Sequence, residues 1–150
     1  MYLDNCCYNR PFDDQSQTRI NLETIAKLSI QKLIIDNTIE MVWSDVLAME
    51  NHDNPHHERK LAITDFSDYM AYYVEVDDTV VAKSSKILAT GIKKVDALHL
   101  ACAVVAGCDY FITCDDRILK YNGRDIHVVN PIGFIEIRKG REDHDGRDFA

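Results

Sequence analysis

Four acidic residues lie where apolar segments of the chain end or turn. Asp4 and Asp115 each follow an apolar, strand-like segment, whereas Glu50 and Asp96 lie on segments with helical spacing. A carboxylate beside buried apolar residues is costly to desolvate unless a positive charge compensates it. The chain has 17 Lys and Arg against 25 Asp and Glu. Because Mg²⁺ binds through one or two carboxylates together with substrate phosphates, the pattern predicts metal-dependent hydrolysis of phosphodiesters.

Asp96 is the most informative of these four acids. It lies near the start of segment 95–105, which is apolar on almost every side. An acid in the first turns of a nearly all-buried helix has to face a cleft or a partner. His99 lies one helical turn later and is placed to hold Asp96 or to touch a substrate. A core histidine that bonds a neighbour is the alternative for His99.

Other polar side chains flank the four acids in sequence. The candidate secondary contacts are Asn5, Thr113, Asp116 and His99. The candidate phosphate-binding cations are Lys93, Lys94 and Arg117. Capping of a following helix would account for one of the two acids Asp115 and Asp116. Solvation at the surface is the alternative for each of the three cations.

Strands and helices alternate along the chain and have to position these residues. The predicted strands are 1–4, 39–43, 72–76, 109–114 and 126–129, and the predicted helices are 18–35, 44–50, 56–70, 77–91, 93–106 and 115–121. Residues 5–17 are expected to form a loop, and periodicity does not decide between helix and strand for 131–137. The alternation predicts an α/β sandwich with a mainly parallel sheet. Ligands bind such sheets at the carboxyl ends of the strands, where both Asp4 and Asp115 are expected.

Length and composition indicate one domain, 1–140, followed by an acidic and disordered tail, 141–150. No apolar run is long enough to span a membrane, and no signal peptide opens the sequence, so we expect a cytoplasmic protein. The net charge of −8 disfavours a protein that coats nucleic acid. It leaves a nuclease open, because acidic metal ligands add negative charge and a bound cation reverses the local field.

The five cysteines are an odd number and lack CxxC spacing. That pattern argues against a disulfide framework and against a zinc ribbon. Small buried side chains in a reducing compartment are the expected role.

Taken together, these residues resemble the PIN-domain ribonucleases, in particular the toxin halves of prokaryotic VapBC-type toxin–antitoxin pairs. The resemblance extends from Met1 to Ile137 and rests on the order and spacing of four segments: YLDN at 2–5, SDVLAME at 44–50, DALHLA at 96–101 and FITCDD at 111–116. Asn5 departs from the family, in which many members carry Thr or Ser at that place.

The resemblance implies a PIN-like three-layer α/β/α sandwich with a mainly parallel central sheet. It implies that Asp4, Glu50, Asp96 and Asp115 bind one or two Mg²⁺ or Mn²⁺ ions and hydrolyse RNA, with Thr113 and Asp116 as secondary contacts. It further implies an antitoxin protein as partner, and a homodimer.

Two rival functions remain open. One is a catalytically silent PIN-fold interaction module, although such a protein has no physical reason to keep four costly acids. The other is a different Mg²⁺-dependent phosphohydrolase. A haloacid-dehalogenase-type phosphatase would need Asp-x-Asp at the first strand, where this chain has Asp4-Asn5-Cys6.

Overall fold

The computed structural model describes the backbone of residues 1–148 and the side chains of residues 1–142. Its strands are β1 (Tyr2–Leu3), β2 (Val42–Ser44), β3 (Tyr72–Val74), β4 (Tyr110–Ile112) and β5 (His127–Val129). Its helices are α1 (Asn5–Asn9), α2 (Thr18–Ile35), α3 (Asp45–His52), α4 (His57–Ser67), α5 (Asp78–Leu88), α6 (Lys94–Val105), α7 (Asp116–Leu119) and α8 (Pro131–Asp148). A short 3₁₀ turn, Arg10–Phe12, follows α1.

The five strands form one sheet in the order β3-β2-β1-β4-β5, and every pair is parallel. The predicted α/β architecture with a mainly parallel sheet is therefore confirmed. The chain moves outward from β1 to β3 and then crosses to β4 on the other side of β1. The strand order thus reverses between β1 and β4, and such a switch point is where ligands bind in open parallel sheets.

The register of the two central strands decides which residues meet at that point. Leu3 of β1 pairs with Ile112 of β4, so the two strands end level with each other. The residues that follow them, Asp4 and Thr113, therefore emerge side by side. Both strands are fully buried except at Tyr110, as expected for a parallel sheet covered on both faces.

Helices cover the sheet in two packed pairs, α2 with α8 and α5 with α6. The connection from β1 to β2 and the connection from β3 to β4 run in opposite directions across the sheet. Because such connections are right-handed, their helices α2 and α6 lie on opposite faces. This gives the predicted three-layer α/β/α arrangement.

The prediction of a loop over 5–17 was wrong, since α1 and the 3₁₀ turn occupy 5–12. The Asp4 carboxylate caps α1 by accepting a hydrogen bond from the Asn5 amide at 2.8 Å, and the apolar side chains of Cys7 and Tyr8 are buried. Tertiary burial rather than periodicity stabilises this short helix.

The undecided segment 131–137 is the start of α8. The Asn130 side chain accepts a hydrogen bond from the Gly133 amide at 2.7 Å, and Pro131 stands at the first helical position, which it favours. Within the predicted tail, Arg141 belongs to α8 and donates to the Tyr110 hydroxyl at 2.9 Å. The side chains of 143–150 lie outside the described residues, so the disordered tail stays a prediction. None of the described helices combines the length and apolarity needed to cross a membrane.

Candidate active site

The four predicted acids line one cleft of about 380 Å³ at the carboxyl end of the sheet. They come from four separate parts of the chain: Asp4 after β1, Glu50 on α3, Asp96 on α6 and Asp115 after β4. The predicted contact Asn5 also lines the cleft. The cleft lies at the switch point between β1 and β4, where the topology favours ligand binding.

Asp4 is the most deeply buried acid of the cleft, with 5% of its surface exposed. Besides the Asn5 amide, it accepts a hydrogen bond from the Thr113 hydroxyl at 2.8 Å. Burial raises the pKa of Asp4 to about 7, and these hydrogen bonds only partly oppose it. Asp4 is therefore only partly ionised at neutral pH, and positive charge beside it would favour the ionised form.

His99 connects Asp4 and Glu50 from below the cleft and is 1% exposed. Its Nε2 is hydrogen-bonded to Glu50 and lies 3.9 Å from Asp4 Oδ1, while its Nδ1 lies 2.6 Å from the Tyr2 hydroxyl. Burial by itself would lower the pKa of His99, but the Glu50 hydrogen bond and the negative charge of Asp4 outweigh it, and the pKa is raised. His99 therefore matches the alternative interpretation of a core histidine that bonds a neighbour, and the acid it contacts is Glu50 rather than Asp96.

Glu50 is held from two sides. His99 contacts its Oε1, and the Asn5 side-chain amide donates to its Oε2 at 3.1 Å. Asn5 therefore makes a polar contact inside the cleft despite its departure from the family pattern. Ser44 caps α3 by accepting from the Leu47 amide at 3.2 Å, which fixes the helix that carries Glu50.

Asp96 lies in the first turn of α6 and is half-buried. Its carboxylate makes no hydrogen bond or ion pair with any side chain that the structure describes. Burial raises the pKa of Asp96, and the negative charges of Asp4 and Asp115 raise it further. Its oxygens are therefore free for a ligand and short of positive charge.

The negative charge of Asp115 is already balanced by the neighbouring Arg117. Its side chain caps α7 by accepting from the Arg117 amide at 2.9 Å, and the Arg117 guanidinium lies 3.1 Å from Oδ2. These hydrogen bonds from Arg117 hold the pKa of Asp115 below its usual range. The Thr113 hydroxyl accepts from the Asp115 amide at 3.0 Å, so Thr113 links the two acids Asp4 and Asp115.

Six of the seven predicted contacts do not line the cleft itself, although Thr113, His99 and Arg117 contact its acids. Asp116 is exposed and forms a two-pronged ion pair with Arg19, with both N–O distances at 2.9 Å. Lys93 and Lys94 are exposed at the start of α6, three and two residues before Asp96. They are close to Asp96 in sequence but do not line the cleft.

Four further cleft residues were not predicted from the sequence, namely Cys6, Asn9, Arg10 and Asp13. All four come from segment 5–17, which was expected to be a loop. Arg10 brings a cation to the rim, where its Nη1 lies 3.3 Å from Asp13. The level ends of β1 and β4 are the signal that would have placed this segment beside residues 113–115.

The donor set suits a hydrated hard cation. All four acids offer oxygen ligands, and burial raises the pKa values of two of them, Asp4 and Asp96, so a bound cation would favour their ionised forms. Among the described residues, no three acids bring one carboxylate oxygen each to within 4.8 Å of one another. Mg²⁺ fits this spacing, since it keeps several waters and binds through one or two carboxylates.

The family model of the PIN domain matches residues 1–124 of the chain. The chain belongs to the PIN-domain family. PIN domains are generally nucleases, which agrees with an acidic cleft at the end of a parallel sheet.

A solved structure shares the fold. It is the crystal structure of DNA-bound VapBC from Salmonella typhimurium, with a TM-score of 0.53 and 18% sequence identity over 87% of this chain and 96% of that chain. At this identity the likeness speaks for the fold alone. The search of curated proteins found no match.

Proposed function

We propose that this PIN-domain protein is an endoribonuclease that depends on Mg²⁺ or Mn²⁺ and is the toxin of a type II toxin–antitoxin pair. The observation that carries the proposal is the meeting of Asp4, Glu50, Asp96 and Asp115 in one cleft at the switch point of the sheet. Four acids drawn from four elements are costly to keep together without a cation.

The residues divide into ligands and supports. Asp96 is without a partner in the described part of the chain, and positive charge favours the ionised form of Asp4, so these two are the first ligands. Asp115 joins them from the opposite wall. Glu50 is held in position by His99 and Asn5. It is therefore a further metal ligand, which binds the ion directly or through a water molecule.

A bound ion supplies Lewis acidity, a bound water of lowered pKa and charge stabilisation of the leaving oxygen. The chain itself supplies geometry and charge. Thr113 keeps Asp4 and Asp115 in register, and His99 keeps Glu50 turned toward Asp4. No side-chain nucleophile is required.

The substrate is RNA in single-stranded or loop form, where the backbone is open to a shallow acidic cleft. Arg117, at the mouth beside Asp115, and the exposed pair Lys93 and Lys94 are the proposed phosphate contacts. The net charge of −8 argues that such contacts are local.

The proposed partners are an antitoxin protein and a second copy of the chain, acting in the cytoplasm. The VapBC complex that shares the fold supports an antitoxin. Helices α2 and α4 also expose large apolar side chains, among them Leu22, Ile25, Leu28 and Leu61, and exposed apolar patches mark interaction surfaces.

The test is cleavage of a mixed structured RNA by the purified protein with Mg²⁺, with Mn²⁺ and with EDTA, alongside Asp96→Asn. We expect cutting that requires metal and is lost in Asp96→Asn. A folded protein that cuts in no metal would refute the nuclease and favour the silent interaction module. Turnover of phosphomonoesters without RNA cleavage would favour another phosphohydrolase.

A further inference from the structure

Three thiols meet directly behind the acidic cleft. The sulfur atoms of Cys6, Cys7 and Cys114 all lie within 4.8 Å of one another, and all three cysteines are free. The Sγ atoms of Cys7 and Cys114 are 3.7 Å apart. Cys6 and Cys7 lie on α1 and Cys114 follows β4, so the level ends of β1 and β4 bring them together.

The spacing of these sulfurs fits a tetrahedral soft-metal site. With metal–sulfur bonds of about 2.3 Å, two ligands of a tetrahedral ion are about 3.8 Å apart. The 3.7 Å between Cys7 and Cys114 matches that edge without movement. Thiolates select Zn²⁺ and similar ions over Mg²⁺, which carboxylates prefer.

The cluster is open to ions on one side only. Cys7 and Cys114 are buried, whereas Cys6 is partly exposed and lines the acidic cleft. An ion that passes the carboxylates reaches Cys6 first. The Cys6 Sγ is also 3.5 Å from Asp4 Oδ2 and 3.5 Å from the Thr113 hydroxyl, so a fourth, oxygen ligand is at hand.

We propose that Cys6, Cys7 and Cys114 form a second metal site, specific for a thiophilic divalent ion such as Zn²⁺, and that its occupation turns the acidic site off. Each thiol that binds the ion releases its proton to solvent. The inhibitory part rests on the proposed nuclease function, whereas the binding part does not.

Proximity to Asp4 is the reason for inhibition. A divalent ion held by Cys6 lies within a few ångström of the Asp4 carboxylate and neutralises part of its negative charge. A second dication in the acidic cleft is then repelled across a short and poorly solvated distance. The contact between Cys6 and Asp4 is then lost, or Asp4 itself becomes a ligand of the bound ion. In either case Asp4 moves away from its hydrogen bond with Thr113.

Binding is tested without any activity assay, by titrating the full chain with Cd²⁺ in a non-thiol reductant and recording the thiolate-to-cadmium charge-transfer absorption. We expect a band that saturates at one ion per chain and that is weaker, and needs more Cd²⁺ to saturate, in Cys6→Ser and in Cys114→Ser. The matched control is Cys108→Ser, a cysteine at the opposite end of β4, which should keep the band. Circular dichroism checks that each variant is folded.

A folded wild-type chain without the band, or a band of unchanged intensity and midpoint in Cys114→Ser, would overturn the site. The switch is tested by titrating Zn²⁺ into the RNA cleavage assay at fixed Mg²⁺. We expect inhibition that needs at least about 10-fold more Zn²⁺ in Cys114→Ser, because loss of a direct ligand should cost no less than loss of an outer-shell partner. Equal inhibition in both would overturn the switch. If the chain cuts no RNA, the nuclease proposal fails and the Cd²⁺ band still decides the site.

Discussion

Each end of the sheet borders a cavity, and the volumes of the two cavities do not indicate which of them is the candidate site. The amino end holds the larger cavity, about 540 Å³, lined by side chains such as Met1, Phe134 and Arg141. The carboxyl end holds the smaller cleft, about 380 Å³, which is lined by the four predicted acids and by Asp13 and has His99 beneath it. The candidate site is therefore marked by polar groups that converge from separate elements, and not by the size of the cavity.

Strand direction explains the difference. In a parallel sheet all strands end on one side, so the residues that follow them meet there. Asp4 and Thr113 meet in this way and are both buried polar groups. At the amino end the charged residues Asp109 and Arg141 border solvent and carry no comparable network.

The largest expected effect is that of Asp4→Asn, which should separate activity from stability. Loss of a metal ligand should reduce RNA cleavage by more than about 100-fold, beyond the effect typical of supporting residues. Because burial raises the pKa of Asp4 from 3.8 to about 7, its charge costs the metal-free fold up to about 4 kcal/mol above neutral pH. The neutral amide should therefore stabilise the metal-free protein, by on the order of 2 kcal/mol after the lost hydrogen bonds are counted.

The matched control is Asp109→Asn at the amino end, an exposed acid on the rim of the larger cavity. Cleavage assays and thermal unfolding in EDTA should find it close to wild type in both respects. Equal losses of activity in the two variants would erase the contrast between the ends of the sheet.

The next effect is that of His99→Gln, which keeps a polar side chain but cannot span from Tyr2 to Glu50. With Glu50 no longer fixed, we expect the affinity for Mg²⁺ to fall roughly 10–100-fold, as for other residues that orient metal ligands. The measurement is the Mg²⁺ concentration that gives half-maximal cleavage. Tyr2→Phe removes only the hydroxyl that contacts His99 Nδ1 at 2.6 Å and should fall between His99→Gln and wild type. An unchanged Mg²⁺ requirement in His99→Gln would contradict the assigned role.

A third effect concerns pH. Asp4, Asp96 and His99 all have raised pKa values in the fold. Without metal, the native state therefore binds more protons than the unfolded chain across the window between the ordinary pKa of Asp4, 3.8, and its raised value of about 7. Stability should fall as pH rises through that window.

Mg²⁺ should reverse this trend, because it binds the ionised acids and stabilises only the folded state. We expect the rise in unfolding temperature on adding Mg²⁺ to be several degrees larger at about pH 8 than at about pH 5.5. The Asp4→Asn chain serves as the control and should lose most of the pH dependence. A Mg²⁺ effect that is the same at both pH values would argue against Asp4 as a ligand.

Much of this site could be predicted because it follows from strand ends. Apolar patterns in the sequence predict the strands before Asp4 and Asp115 and the helix around Asp96. The topology of a parallel sheet then brings the ends of these elements together. The start of α3 was also predicted closely, at residue 44 against Asp45 in the structure, because the helix begins at the local cap formed by Ser44.

The rest could not be predicted because it depends on contacts between distant residues. The hydrogen bond of His99 to Glu50 joins positions 49 residues apart, and no periodicity reports it. Asp116 turned to Arg19, 97 residues away, rather than to the cleft. The thiol cluster was missed because α1, in a segment read as a loop, forms by burial of Cys7 and Tyr8.

The smallest expected effect is that of Arg141→Gln at the amino end. Arg141 donates to the exposed side of the Tyr110 hydroxyl at 2.9 Å and stacks its guanidinium 5.9 Å from that ring. Contacts of this kind at the surface contribute about 0.5 kcal/mol or less, so urea unfolding should shift only slightly and RNA cleavage should not change. Arg117→Gln is the informative partner, because it removes a cation from beside Asp115 and should weaken cleavage and flatten its dependence on salt. If Arg141→Gln impaired cleavage as much as Arg117→Gln, the larger cavity would have to take part in RNA binding, and the functional contrast between the two ends of the sheet would fail.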